Sequence, residues 1–305
     1  MDWKHEISSA AARIKGHAQI TPVMTTDALW QRPVELKLEQ LQHTGSFKAR
    51  GAFNTLLSEP VPEAGVVAAS GGNHGAAVAY AATRLGHRAQ IFVPEMAGPA
   101  KIALIERTGA ALTVVPGEYA NALEAARAYE AETGAMQVHA YDAPGTVAGQ
   151  GTLMREWEAQ GLEADTVLIA VGGGGLIAGS LAWLQGARKV VAVEPETSCA
   201  LHAALEAGAP VDVQVSGVAA NALGARQVGS ICHDLSQAHL GASVLVPDDA
   251  ITEAQTALWQ SHRLLVEPAG ATALAALRAG AYVPEPGERV AVLVCGGNIA
   301  PDPLG

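Results

Sequence analysis

Lys48 is the residue of this chain with the most chemistry to offer. It stands in Gln42-His-Thr-Gly-Ser-Phe-Lys-Ala-Arg-Gly51, early in a predicted helix and among small, mostly neutral residues. An amine kept from water in such a setting titrates near neutrality and serves as nucleophile or base, whereas a lone lysine elsewhere is a solvated surface charge. A second segment, Val167-Leu-Ile-Ala-Val-Gly-Gly-Gly-Gly-Leu-Ile-Ala-Gly179, runs from an apolar strand through Gly172, Gly173, Gly174 and Gly175 into a helix opening at Leu176. Consecutive glycines let backbone N–H groups approach an anion, and the helix N-terminus adds partial positive charge, so the segment reads as a phosphate site. Gly173, Gly175 and Ala178 also satisfy G-x-G-x-x-A, and Glu194 follows about 20 residues on. These are the parts of a dinucleotide fingerprint, and an NAD-dependent dehydrogenase is the rival reading.

Two further glycine-marked segments end predicted strands. In Ala69-Ser-Gly-Gly-Asn-His-Gly75, Ser70 and Asn73 are placed to cap the next helix, whose N–H groups suit a carboxylate. Cys295-Gly-Gly-Asn298 closes the last apolar strand. Ligands of parallel sheets gather at the carboxyl ends of strands, so three such ends suggest one shared site.

The elements that must position these residues alternate along the chain. Continuous apolar runs at 34–38, 66–69, 89–93, 112–115, 166–171, 190–193 and 290–294 predict strands covered on both faces. Helical segments are predicted at 46–57, 73–85, 99–107, 118–133, 149–159, 176–185, 249–262 and 270–279, with an amphipathic surface helix over Trp3 to Ile14. The β-α-β alternation predicts an α/β fold with mostly parallel sheets. A length of 305 residues favours two domains.

Composition narrows the function classes. With 19 basic and 30 acidic residues the net charge is −11, and without a Lys/Arg cluster there is no footprint for nucleic acid or an anionic membrane. Apolar stretches are broken well short of a membrane span. Cys199, Cys232 and Cys295 form no C-x-x-C pair, which argues against a disulfide framework or thiolate zinc site and for a cytoplasmic setting.

Taken together, Lys48 framed by Thr44-Gly-Ser-Phe47 and Ala49-Arg-Gly51, an early Arg13-Ile with Thr21-Pro-Val23, the asparagine loop, Ala148-Gly-Gln-Gly-Thr152, the tetraglycine loop, Glu267-Pro-Ala-Gly270 and Cys295-Gly-Gly-Asn298 occur in one order. This series resembles the tryptophan-synthase-β-like, fold-type II pyridoxal-phosphate enzymes, and most closely their serine/threonine dehydratase and serine racemase branch. The resemblance implies two α/β domains with pyridoxal 5'-phosphate between them. Residues 1–52 plus 143–305 would form the larger, cofactor-binding domain, and 53–142 a smaller domain closing over substrate. Lys48 would be the Schiff-base lysine and α-proton base, with Phe47 beside the ring. Gly172 to Gly175 and Leu176 would bind the phosphate, Asn73 the ring hydroxyl, and Ser70, Gly71, Asn73 and His74 the substrate carboxylate. Cys295 matches the position where relatives place Ser or Thr against the ring nitrogen, and Glu267 lies near the same edge. The expected partners are a small amino-acid substrate and further copies of the chain, as a homodimer or higher homo-oligomer.

Departures from the family pattern narrow the expected activity. Relatives that racemise place Ser where this chain has Gly71, which disfavours racemisation. Glu194 matches a divalent-cation ligand of serine racemase-like members but lacks the paired aspartates after it, so no metal site is expected. Tyr141 stands where those relatives carry Asn. No regulatory domain is expected after Cys295-Gly-Gly-Asn298. The implied activity is α,β-elimination from L-threonine or L-serine, giving 2-oxobutyrate or pyruvate plus ammonia. The alternatives are a dehydratase of a modified 3-hydroxy amino acid, such as 3-hydroxyaspartate or phenylserine, and a serine racemase-like enzyme.

Overall fold

The computed structural model describes residues 1–117 and 119–299. Glu118, the predicted first residue of a helix, lies outside the described residues, as does the chain end at 300–305. The strands, in chain order, are β1 (Val23–Thr26), β2 (Val34–Leu38), β3 (Val66–Ala69), β4 (Ala89–Pro94), β5 (Ala111–Val115), β6 (Met136–Gln137), β7 (Thr166–Ala170), β8 (Lys189–Pro195), β9 (Ala242–Val246) and β10 (Val290–Val294). The helices are α1 (Trp3–Arg13), α2 (Lys48–Ser58), α3 (Asn73–Arg84), α4 (Pro99–Glu106), α5 (Tyr119–Thr133), α6 (Pro144–Ala159), α7 (Gly175–Leu184), α8 (Ala200–Ala207), α9 (Ala220–Leu223), α10 (Ser230–His239), α11 (Asp248–His262) and α12 (Pro268–Arg278).

Two sheets organise the chain, a six-stranded one in the order β1-β2-β10-β7-β8-β9 and a four-stranded one in the order β5-β4-β3-β6. Every pairing is parallel except β1 with β2. All residues of β7 and β10 are buried, as expected of central parallel strands under helices on both faces. Separate apolar cores form around the two sheets, one built on β2, β7, β8 and β10 and another on α2, α3, β3 and β4.

Helix α6 packs against both α2 and α7 at glycines. A Cβ at Gly149 would come within 2.6 Å of Gly51 Cα, and a side chain at Gly179 would overlap the backbone of Gly151. The glycines inside α6 are therefore what lets helix backbones touch. Helix α6 starts at Pro144 in its first turn rather than at Gly149, since proline gives up only an N–H that has no partner there. Helix α2 starts at Lys48, two residues later than expected, because Ser46 is drawn into an isolated bridge with Gly296. No helix among the described residues is long and apolar enough to cross a membrane.

Candidate active site

The carboxyl ends of β3, β7 and β10 open onto one cavity of about 900 Å³. Every residue that the resemblance assigns to cofactor or substrate, from Phe47 and Lys48 through Ser70, Gly71, Asn73 and His74 to Gly172–Leu176, Glu267 and Cys295, lines it. Lys48 is the first residue of α2, and its Nζ donates to Ala140 O at 2.8 Å. Burial brings its ammonium down to about 8, against a weaker opposing pull from Cys295. The preceding turn is pinned to the end of β10. Phe47 N donates to Cys295 O at 3.2 Å, and Asn298 Nδ2 donates to Thr44 O at 2.7 Å. Thr44 is held at φ 61°, a left-handed conformation that β-branched residues avoid and that the Asn298 brace maintains.

Behind Lys48, Arg50, Lys37 and Glu39 are buried, with half-buried Glu156 beside them. Arg50 reaches Glu39 at 2.7 Å and Glu156 at 2.9 Å, and Lys37 reaches Glu156 at 2.6 Å. The two carboxylates hold the Arg50 guanidinium above its usual range despite burial, and the cations keep Glu156 ionised by lowering its carboxyl. This network ties α2, β2 and α6 together two residues from Lys48.

The glycine loop presents backbone only. Gly174 sits at φ 93°, and a side chain there would overlap Cys232 Sγ. A Cβ at Gly172 would lie 2.8 Å from Leu223 Cα, and one at Gly175 would lie 2.9 Å from Tyr141 Cα. Helix α7 starts at Gly175 with no side chain capping it, which leaves its first N–H groups for a ligand. An anion such as a phosphate fits this cradle, and the buried amine beside it suits a carbonyl.

The loop after β3 corrects one expectation. Ser70 and Asn73 do not cap α3: Ser70 Oγ accepts from Gly72 N at 3.2 Å, and the capping position is Gly72. Asn73 is drawn the other way, donating to Glu267 Oε1 at 2.6 Å and accepting from Asn298 Nδ2 at 2.8 Å. The first turn of α3 is thus left without a side-chain cap, as a carboxylate site requires. His74 is buried, with Nε2 on Val138 O at 2.8 Å, and burial followed by the charge of Lys48 pushes its imidazole down to about 3. It is neutral at physiological pH. Cys295 Sγ lies 3.3 Å from Ala269 O, and burial followed by the charge of Glu267 pushes its thiol well above the usual range. The proton stays on sulfur and is directed at that carbonyl.

Glu194 stands apart from the cavity. Its two carboxylate oxygens accept from Leu201 N at 2.9 Å and His202 N at 2.8 Å, so it caps α8, and burial raises its carboxyl to about 7. A ribose-binding role has no support in that position. Among the described residues no group of three His, Cys, Asp or Glu side chains is placed to hold a metal ion. Parts of the cavity without a motif went unread in the sequence: Tyr119 at the start of α5, and Val213, Val215, Leu223 and Arg226 from the irregular stretch around α9. The carbonyl of Ala140 carries no residue-type signal at all.

A strand-end cavity with an anion cradle, an uncapped helix for a carboxylate and a buried amine is the site of an enzyme that works through a phosphorylated carbonyl cofactor. The chain belongs to the pyridoxal-phosphate dependent enzyme family, which it matches over residues 14–296. It is 37% identical to phenylserine dehydratase of Ralstonia pickettii over 300 residues, covering 96% of this chain and 92% of the relative. It is 35% identical to a biosynthetic L-threonine dehydratase of Salmonella typhimurium over 293 residues, 92% of this chain but only 57% of that protein's length. The structure of maize serine racemase superposes with a TM-score of 0.92 at 28% identity, covering 99% of this chain and 95% of that one. Family and fold together set the dehydrogenase reading aside.

Proposed function

We propose that this protein is a pyridoxal-phosphate-dependent ammonia-lyase acting on L-3-hydroxy amino acids, of which L-threonine and L-serine are the simplest, to give a 2-oxo acid and ammonia. The observation that carries the reading is the meeting, on one cavity, of the Lys48 amine with the Gly172–Gly175 cradle and the uncapped start of α3. When bound, the cofactor supplies a carbonyl for an amine and an electron sink that acidifies the substrate Cα–H. Gly172 to Gly175 and Leu176 would hold its phosphate through backbone N–H groups, Phe47 would pack beside its ring, and Asn73, steadied by Glu267, would bind the ring together with Cys295. The substrate carboxylate sits on Ser70, Gly71, Asn73 and His74, where the α3 dipole complements its charge. Lys48 takes the α-proton at Nζ, for which a value of about 8 leaves a working fraction of free base near neutrality. The proton gained by Lys48 is passed to the departing β-hydroxyl, which leaves as water and returns Lys48 to its free-base form, and hydrolysis of the released enamine yields the 2-oxo acid and ammonia. In this reading residues 53–142, carrying the carboxylate loop, close over substrate against 1–52 and 143–305.

Elimination is favoured over racemisation by Gly71. A side chain there would overlap Ala97 Cβ and meet Val93 Cγ1 at 3.0 Å, so a seryl hydroxyl has no room at the position that racemising relatives use.

A second reading, a preference for aryl-substituted 3-hydroxy amino acids, is favoured by the cavity wall. Tyr119, Tyr141, Val213, Val215 and Leu223 line it, and the resemblance to phenylserine dehydratase points the same way. Comparing kcat/KM for L-threo-phenylserine, L-threonine, L-serine and L-threo-3-hydroxyaspartate decides the order. Phenylserine is expected to exceed threonine by tenfold or more, about 1.4 kcal/mol. A preference for serine would return the reading to the small substrates, and a preference for hydroxyaspartate would assign the specificity to Arg226.

A further inference from the structure

Five consecutive residues, Val138 to Asp142, touch three parts of the site. Val138 O receives His74, Ala140 O receives Lys48 Nζ at 2.8 Å, the Tyr141 ring lies against Gly173, and the Tyr141 backbone lies against Gly175. Asp142 Oδ1 accepts from Ile231 N at 3.0 Å at the start of α10. A single side chain folds this segment. His139 Nδ1 accepts from Asp142 N at 2.9 Å and from Tyr141 N at 3.3 Å, and its ring meets the Tyr141 ring edge-on at 5.1 Å between centroids. The segment is also fastened to its surroundings: Thr146 Oγ1 donates to His139 O at 2.9 Å, and the Tyr141 hydroxyl donates to Gln227 O at 3.4 Å.

We propose that His139 is a positioning residue whose unprotonated Nδ1 shapes the turn that aims the Ala140 carbonyl at the Lys48 amine and the Tyr141 ring at the glycine loop, so that protonating His139 switches turnover off. The inference rests on the lyase reading above for its kinetic consequence, not for its geometry. With Nδ1 accepting two amide protons, the neutral imidazole carries its hydrogen on Nε2. A proton on Nδ1 would face two N–H donors, and both bonds would be lost. The Lys48 amine, free of the cofactor during turnover, would then lack the acceptor that orients it. Groups around the ring set where this happens. Burial lowers the imidazole below its ordinary value of 6.5, Asp142 in the same turn opposes that, and Lys48 from α2 and Arg127 from α5 add to it. His74 of α3 faces it as a neutral ring. His139 is itself on the exposed side of the segment, so protons reach it freely.

The proposal separates two substitutions. His139→Asn keeps an acceptor, Oδ1, where Nδ1 stood and does not titrate, whereas His139→Ala removes the acceptor. In the holoenzyme, kcat of the wild type is expected to fall below pH 6.5 more steeply than the protonation of Lys48 alone gives, because a second proton is taken up at His139. His139→Asn should keep kcat within about threefold at neutral pH and lose that extra steepness, leaving the single-proton fall of Lys48, and His139→Ala should lose about tenfold or more in kcat with a smaller change in KM. Nuclear magnetic resonance of the holoenzyme gives a readout independent of turnover. The amides of Tyr141 and Asp142 should shift with the same midpoint as the His139 ring, which should be the Nε2–H tautomer above it. A two-proton acid limb that persists in His139→Asn, or amides that ignore the His139 titration, would overturn the proposal. Should His139→Ala fail to fold, the Asn variant and the amide titration still decide it. Should the wild type release no 2-oxo acid from any substrate, the lyase reading fails while the amide titration still judges the turn.

Discussion

Lys48 shows how burial turns a common residue into a reagent. Its amine loses most of its solvation and has a carbonyl, not a carboxylate, for a partner, so the neutral form is favoured in the folded chain. The sign of the linked stability follows. Between about 8 and the ordinary 10.5 the unfolded chain binds a proton that the folded chain does not, so this group makes the cofactor-free protein more stable as pH rises through that window. Lys48→Met should lack that rise, seen as a flatter difference in denaturation midpoint between pH 8 and 10. An equal rise in both proteins would mean that Lys48 is not desolvated. Lys48, the four glycines and Asn73 were legible as residue types in local frames. The carbonyl of Ala140 and the acceptor role of His139 were not, because they depend on which backbone groups the fold brings together.

At the scale of elements, the site depends on backbones approaching where a side chain would intrude. Gly71→Ser is expected to lower stability by about 1–3 kcal/mol through overlap with Ala97, and to reduce 2-oxo acid formation without creating racemisation. Chiral analysis of recovered substrate checks it, and appreciable D-isomer from the variant would contradict the account. Strands read from continuous apolar runs matched closely: 34–38, 66–69 and 290–294 coincide with β2, β3 and β10. The elements without that signal were missed. Strand β9 is an edge with four half-buried residues, β6 is two residues long, and β1 is the lone antiparallel strand, short and partly exposed. The start of α6 was hidden because Pro144 and Gly145 read locally as a break, whereas proline is tolerated in the first turn of a helix.

Across the whole molecule, the two sheets meet the cavity through segments fixed at both ends, and the cluster of Arg50, Lys37, Glu39 and half-buried Glu156 anchors the Lys48 helix to the larger sheet. Removing Glu39 leaves two buried cations sharing the one carboxylate of Glu156, so Glu39→Ala should cost about 3–5 kcal/mol in chemical denaturation. A loss below 1 kcal/mol would show that the cluster is not held as described. Alternation of strands and helices was enough to predict the α/β class, while the cavity wall from Val213 to Gln227 was invisible because it is irregular chain folded over the site. Cofactor binding links the parts. At a free concentration a hundredfold above its Kd, pyridoxal phosphate should add about 2.7 kcal/mol of stability to the wild type, and much less to Gly174→Ala, whose glycine loop must move to clear Cys232 and Val228 and leave its left-handed backbone.

The most direct test of the account is the coupled release of 2-oxo acid and ammonia from L-3-hydroxy amino acids by the cofactor-loaded wild type and by Lys48→Ala, each confirmed folded and loaded. Equal molar release of the two products by the wild type, with a loss of at least about a thousandfold in the variant, is the predicted result. Full activity in Lys48→Ala, or a loaded wild type that releases neither product from any member of the series, would contradict it.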